Sequence, residues 1–317
     1  MCKIIGIDIS KQTFDVSFKR KEQWDHFIFP NEEKGFKQLL KLIEQGDWVV
    51  MEASGSYYFP LATFLSSRDI KVCVENPLVI KRFSQTMLYR AKTDKKDART
   101  IAEYGEKYDL KQWEQESENC TKIRHLYTRL ELLTKQIHQN KRQLEAFESS
   151  GSLDKFLEKT IKKDLSNLEK TKHKIEVEME RLAEQQYGQT MENVESIPGI
   201  GRKTAMMLSL ITDNFKKFEN YKQLIAYVGF SPRIYQSGTS VKGKGHICKM
   251  GKSQIRKLLY LCSWSAKHCN KACKEMYERL KSLGKPERVI KIAIANKLLK
   301  QAFAIAKANN KYQENYC

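Results

Sequence analysis

The feature that most constrains this chain is a pair of heptad seams in its middle. Ile123, Leu126, Leu130, Leu133, Ile137, Asn140, Leu144 and Phe147 recur at alternating gaps of three and four. That spacing keeps an apolar stripe on one side of an α-helix. Ser149-Ser150-Gly151-Ser152 breaks the run, and Ile161, Leu165, Leu168, Lys172, Ile175, Met179 and Leu182 take it up again. Two long helices joined by a short Gly/Ser turn predict a helical hairpin. The hairpin divides the chain into three expected parts: residues 1–115, the hairpin at 116–188, and residues 189–317. Asn140 and Lys172 sit in the seams, where polar residues cost stability but fix register or oligomer state. Seam spacing does not say which helix each seam faces, so an intrachain hairpin and a dimer contact are both open.

The front part reads as α/β. Lys3–Ile9 is short, apolar and β-branched, which suits a buried strand. Phe14–Phe18 and Trp24–Phe29 alternate, and the three segments predict an antiparallel meander. A helix over Asn31–Gln45, a strand at Trp48–Met51, a helix at Phe59–Ser67, a strand at Lys71–Val74 and a helix over Asp94–Tyr108 follow. The back part reads as mainly helical. Ser196–Gly201 (SIPGIG) interrupts two helical stretches, Tyr227–Gly251 is rich in glycine, and helices resume at Gln254–Cys269 and Pro286–Asn309. Tyr260, Leu261 and Trp264 are expected in the core.

Charge separates the parts further. Residues 191–317 hold 24 Lys and Arg against 8 Asp and Glu, which is +16 of the chain's +19. A localised basic domain is the electrostatic footprint of a nucleic-acid binder. No apolar run approaches the ~20 residues of a membrane span. The eight cysteines have no paired spacing and there is no export signal, so reduced thiols and a cytoplasmic location are expected. Cys248, Cys262, Cys269 and Cys273 lack the spacing of a zinc site and read as free thiols, buried rather than metal-bound.

Four acids stand out in the front part. Asp8 lies in an otherwise apolar strand, where an unpaired carboxylate is costly and needs a metal or a cation. Glu52 ends a second buried strand. In Thr93-Asp94-Lys95-Lys96-Asp97 the two aspartates are three apart, on one face of a helix start. Four hard oxygen donors on two strands and a helix suit Mg²⁺ or Mn²⁺, and two such ions would suit phosphodiester chemistry. Each acid also has a bland reading, capping for Asp94 and Asp97 and a solvated strand end for Glu52; Asp8 is the hardest to explain away.

In the back part, the turn at Gly199 and Gly201 precedes Arg202 and Lys203. It resembles a helix-hairpin-helix motif, whose backbone N–H groups grip phosphates without reading sequence. Residues 229–240 (GFSPRIYQSGTS) lead into Lys242, Lys244, Lys249 and Lys252. A hydroxyl there, Ser237, could attack phosphorus while the lysines neutralise phosphate.

Together GIDIS (Asp8), MEASGSYY (Glu52), KTDKKDA (Asp94, Asp97), IPGIG and YVGFSPRIYQSGTSVKGKGHICKMGKSQIRK resemble the DEDD transposases of the insertion-sequence one-ten family, nearly end to end. The resemblance implies an RNase H-like (RuvC-like) α/β domain, a coiled-coil insertion and a mainly α transposase domain with a helix-hairpin-helix. It implies an enzyme, an RNA-guided serine recombinase that excises its own insertion sequence and inserts it elsewhere. It also implies that the four acids hold divalent metal and that a serine attacks DNA covalently. By motif position that serine is Ser237, with Ser240 as the fallback. The partners implied are double-stranded DNA, a structured guide RNA and further copies of the chain, as dimer or tetramer, in a prokaryotic, nucleoid-associated setting. Two rival readings compete: a RuvC-type junction endonuclease with metal-activated water, and a non-catalytic nucleic-acid scaffold.

Overall fold

The computed structural model describes residues 2–21, 23–88, 93–115, 117–151, 153–233, 236–237, 241–242 and 246–314. They form two compact units, Met1–Glu116 and Ser117–Cys317.

Strands β1 (Ile4–Ile9), β2 (Thr13–Arg20) and β3 (Gln23–Pro30) form the expected antiparallel meander. Helix α1 (Glu33–Leu40) leads to β4 (Trp48–Glu52), which pairs parallel to β1, and α2 (Phe59–Ser66) leads to β5 (Lys71–Glu75), parallel to β4. The sheet order is β3-β2-β1-β4-β5. Helix α3 (Pro77–Thr86) was not anticipated: Asn76 caps it, its side chain accepting from the Leu78 N–H, and Pro77 supplies the first turn. Helix α4 (Asp94–Lys107) completes the unit.

Strand alternation gives the sheet two different faces. Ile5, Ile7, Ile9, Phe14, Val16, Phe18, Val49, Met51 and Val72 point to one core with Phe36, Leu39, Leu61 and Leu65 of α1 and α2. Val50 and Cys73 point the other way, to Ile80, Phe83, Ile101 and Tyr104 of α3 and α4. Gly6 lies on this second face. A Cβ there would stand 2.2 Å from the Ala98 carbonyl oxygen and 2.3 Å from the Ala102 nitrogen, so only glycine lets α4 approach β1 this closely.

The second unit opens with two long helices, α5 (Glu118–Ser149) and α6 (Lys155–Glu195), which pack together as the expected hairpin. Ile137 of the first seam packs with Ile161 and Leu165 of the second, and Lys141 pairs with Glu169 at 2.8 Å, so the seams meet within the chain. Helix α6 runs straight on past residue 188 into the helical body. That body comprises α7 (Arg202–Thr212), α8 (Tyr221–Val228), the short strands β6 (Pro232–Arg233), β7 (Gln236–Ser237), β8 (Val241–Lys242) and β9 (His246–Ile247), then α9 (Ser253–Cys269), α10 (Lys271–Ser282) and α11 (Glu287–Ala308). Its core includes Phe215, Leu259, Ile294 and Leu298.

The structure corrects one core expectation. Leu261 is 55% and Trp264 54% exposed, and only Tyr260 is half-buried. Leu259, Cys262 and Ala266 define the inward face of α9, and Trp264 lies outside it, with Lys291 stacked on its ring at 3.9 Å. Cys262 and Cys273 are buried free thiols as expected, but Cys269 is exposed. Among the described residues no helix is long and apolar enough to cross a membrane.

Candidate functional site

Asp8 projects from β1 on the Gly6 face, the face that α4 covers. Helix α4 starts there because the Thr93 side chain accepts from the Lys96 N–H as its N-cap. Thr93 therefore holds the capping position, and Asp94 and Asp97 stand in the first turn. Carboxylate oxygens of Asp8, Asp94 and Asp97 lie within 4.8 Å of one another. Glu52 ends β4 one position past the Ile7–Met51 pairing, and its carboxylate accepts from the Ser54 hydroxyl at 2.8 Å. It is not part of the close triad, though its charge reaches Asp8.

The Asp8 carboxyl is pushed up from 3.8 to about 6, first by burial and then by the charges of Asp97, Glu52, Asp94 and Asp15. Like charges gathered on a half-buried strand are unfavourable without a counter-ion. The donors are all carboxylate oxygens, with no His or Cys in the group, which fits a hard divalent cation.

Sequence reasoning missed Asp15 and His26. Asp15 stands directly opposite Asp8 in the β1–β2 register, is 8% exposed, and its carboxylate pairs with His26 Nε2 at 2.7 Å. The signal was present, since Asp15 interrupts the apolar run of β2 much as Asp8 interrupts that of β1.

In the second unit, Gly199 adopts φ +99°, and a Cβ would stand 2.7 Å from the Ala266 Cα. The turn is thus wedged against α9, and Asn270 donates to the Pro198 carbonyl at 3.3 Å. Gly201 caps α7 with an exposed backbone. The two cations after it already have partners. Arg202 pairs with Glu180 at 3.0 Å, with Glu195 at 3.1 Å and with Glu184, while Lys203 pairs with Glu176 at 3.0 Å.

Ser237 lies in β7, paired with Val241, and Lys242 lies in β8, paired with Gln236. Ser240 and Lys244 lie outside the described residues. Lys249 is exposed just after β9, and Lys252 stacks on the Tyr227 ring at 5.6 Å.

Comparison with known proteins finds relatives along most of the chain. A transposase family model, DEDD_Tnp_IS110, matches residues 5–147, which include all four acids. A second model, described as transposase IS116/IS110/IS902 family, matches residues 191–278, which include the SIPGIG turn and Ser237. The chain is 29% identical to a pilin gene-inverting protein of Moraxella lacunata over 98% of its own length and 97% of that protein's. A protein of the same name from Moraxella bovis matches equally well. An insertion element IS110 uncharacterized 43.6 kDa protein of Streptomyces coelicolor is 25% identical over 37% of this chain and 29% of that protein. The two transposase models, which together span most of the chain, show that it belongs to the IS110 family of transposases.

Proposed function

We propose that this transposase breaks and rejoins DNA with the Ser237 hydroxyl, assisted by Mg²⁺ or Mn²⁺ on Asp8, Asp94 and Asp97 with Glu52 at the edge. The observation that carries the reading is the approach of three carboxylates to within 4.8 Å on a rigid sheet-and-helix corner. A divalent cation bound there would neutralise those charges and stabilise developing charge on a phosphodiester. In the strand attack the Ser237 oxygen forms a bond to phosphorus, its proton leaves to solvent, and the departing strand takes the electron pair of the broken P–O bond.

The acids and Ser237 belong to different compact units. We take assembly into a dimer or tetramer, with α5 and α6 as a coiled coil, to bring them together. The N-terminal N–H groups of α7 act as a helix-hairpin-helix phosphate grip, in preference to the paired Arg202 and Lys203. Lys242, Lys244, Lys249 and Lys252 add phosphate contacts, and a structured RNA guides the choice of DNA. In this reading residues 1–115, 116–188 and 189–317 serve as metal, assembly and strand-attack segments. A second reading, inversion of a DNA segment by the same chemistry, is favoured by the full-length likeness to two proteins named as pilin gene inverters.

The test incubates protein, co-purified RNA, Mg²⁺ and donor DNA, and then looks for a protein–DNA adduct that survives denaturant. The wild type and Ser240→Ala are expected to form it, and Ser237→Ala and Asp8→Asn are not. Cleavage without an adduct in Ser237→Ala would favour the water-using endonuclease. Unchanged cleavage in Asp8→Asn would remove the metal site from the chemistry.

A further inference from the structure

The second unit holds a cavity of about 450 Å³ between α9, α11 and the base of the β6–β9 ribbon. Lys249, Arg256, Lys257 and Arg288 line it, Tyr260 and Ile247 contribute apolar wall, and no carboxylate among the described residues lines it. Other cations of this unit have acids beside them, as Arg202, Lys203 and Lys267 do. None of these four has a carboxylate partner among the described residues. Arg256 is held in place because its Nη1 donates to the Val228 carbonyl at 2.6 Å, which uses one of the guanidinium's five donors. Four cations facing one concavity raise the positive potential inside it, which favours an anion there.

We propose that this cavity seats a nucleic-acid backbone phosphate, with the sugar against Tyr260 and Ile247. The volume is of nucleotide scale. In sequence, β6 and β9 bracket the segment that carries Ser237. A strand held at the ribbon's base is therefore anchored at the root of the reactive segment. Arg256, Lys257 and Arg288 come from two helices about thirty residues apart, so no linear motif announces the seat. The inference rests on the reading of this unit as the DNA-handling part, and it stands apart from the serine chemistry.

The test measures binding alone, with full-length protein in EDTA, by fluorescence anisotropy against a salt series. The probes are a labelled duplex DNA and a labelled single-stranded RNA. The variant Lys257→Gln/Arg288→Gln alters exposed side chains that have no acid partner among the described residues. The control Lys216→Gln/Lys274→Gln removes the same charge from exposed positions that do not line the cavity. The expected result is a log K against log salt slope shallower by about 0.9 or more on DNA, or about 0.7 or more on RNA, with the control near wild type. The probe that shows the change identifies the strand. Unchanged slopes on both probes, or an equal change in the control, would overturn the proposal. A failed Ser237 adduct with an intact slope effect would refute the chemistry and leave the seat standing.

Discussion

Asp8→Asn should make the metal-free protein more stable at neutral pH, although it deletes a half-buried acid of the triad. A carboxyl displaced from 3.8 to about 6 corresponds to ~3 kcal/mol at 1.36 kcal/mol per pH unit. Solvent reaches part of this carboxyl, and screening lowers the figure to roughly 1–2 kcal/mol. Coulomb's law agrees, since two carboxylates 4.8 Å apart repel by ~1 kcal/mol at the dielectric of water and ~3.5 kcal/mol at an effective 20. The sign follows from the direction of the shift. The folded state binds the Asp8 proton more tightly than the unfolded state, so wild-type stability falls as pH rises from about 4 through about 6 and levels off above. Asparagine carries no charge and escapes this loss. In EDTA the melting temperature of Asp8→Asn should exceed wild type by roughly 3–8 °C at pH 7.5, and the gap should close near pH 4. Excess Mg²⁺ or Mn²⁺ should reverse the order, because binding at 100 times Kd adds ~2.7 kcal/mol only where the ligand set is intact. Scanning fluorimetry over this pH and metal grid is the assay. A variant less stable than wild type in EDTA at pH 7.5, or a gap unaffected by acid, would refute the reasoning.

Gly6→Ala should push α4 off β1, lowering stability by about 1–3 kcal/mol and abolishing the metal-induced rise in melting temperature, both read by the same scans. Gly199→Ala combines a left-handed backbone with a collision at Ala266, so thermal melts should show a loss of at least ~2 kcal/mol. Arg202→Gln should cost about 1 kcal/mol by breaking its contacts with Glu180, Glu184 and Glu195, yet leave the salt dependence of DNA binding within error. A markedly shallower salt slope in that variant would mean that Arg202 leaves its acids to hold phosphate.

Periodicity and apolarity determined much of this protein. The hairpin of α5 and α6 was written in the spacing of Ile123 to Phe147 and Ile161 to Leu182, because heptads admit only a helical stripe. The meander followed from alternation in β2 and β3, and Asp8 was conspicuous because a charge in a β-branched run needs an explanation. What spacing could not give was direction. Only the folded chain turned the two seams toward each other, set Asp15 opposite Asp8 and paired it with His26, left Glu52 outside the close triad and gave Arg202 three acidic neighbours. The outward turn of Trp264 and the cation-lined cavity were likewise decided by how α9 rolls against α11. The physical reason is the same in each case. Local pattern sets which face of an element is apolar, whereas the partner of a polar side chain is chosen by elements distant in sequence, through packing that no single segment encodes.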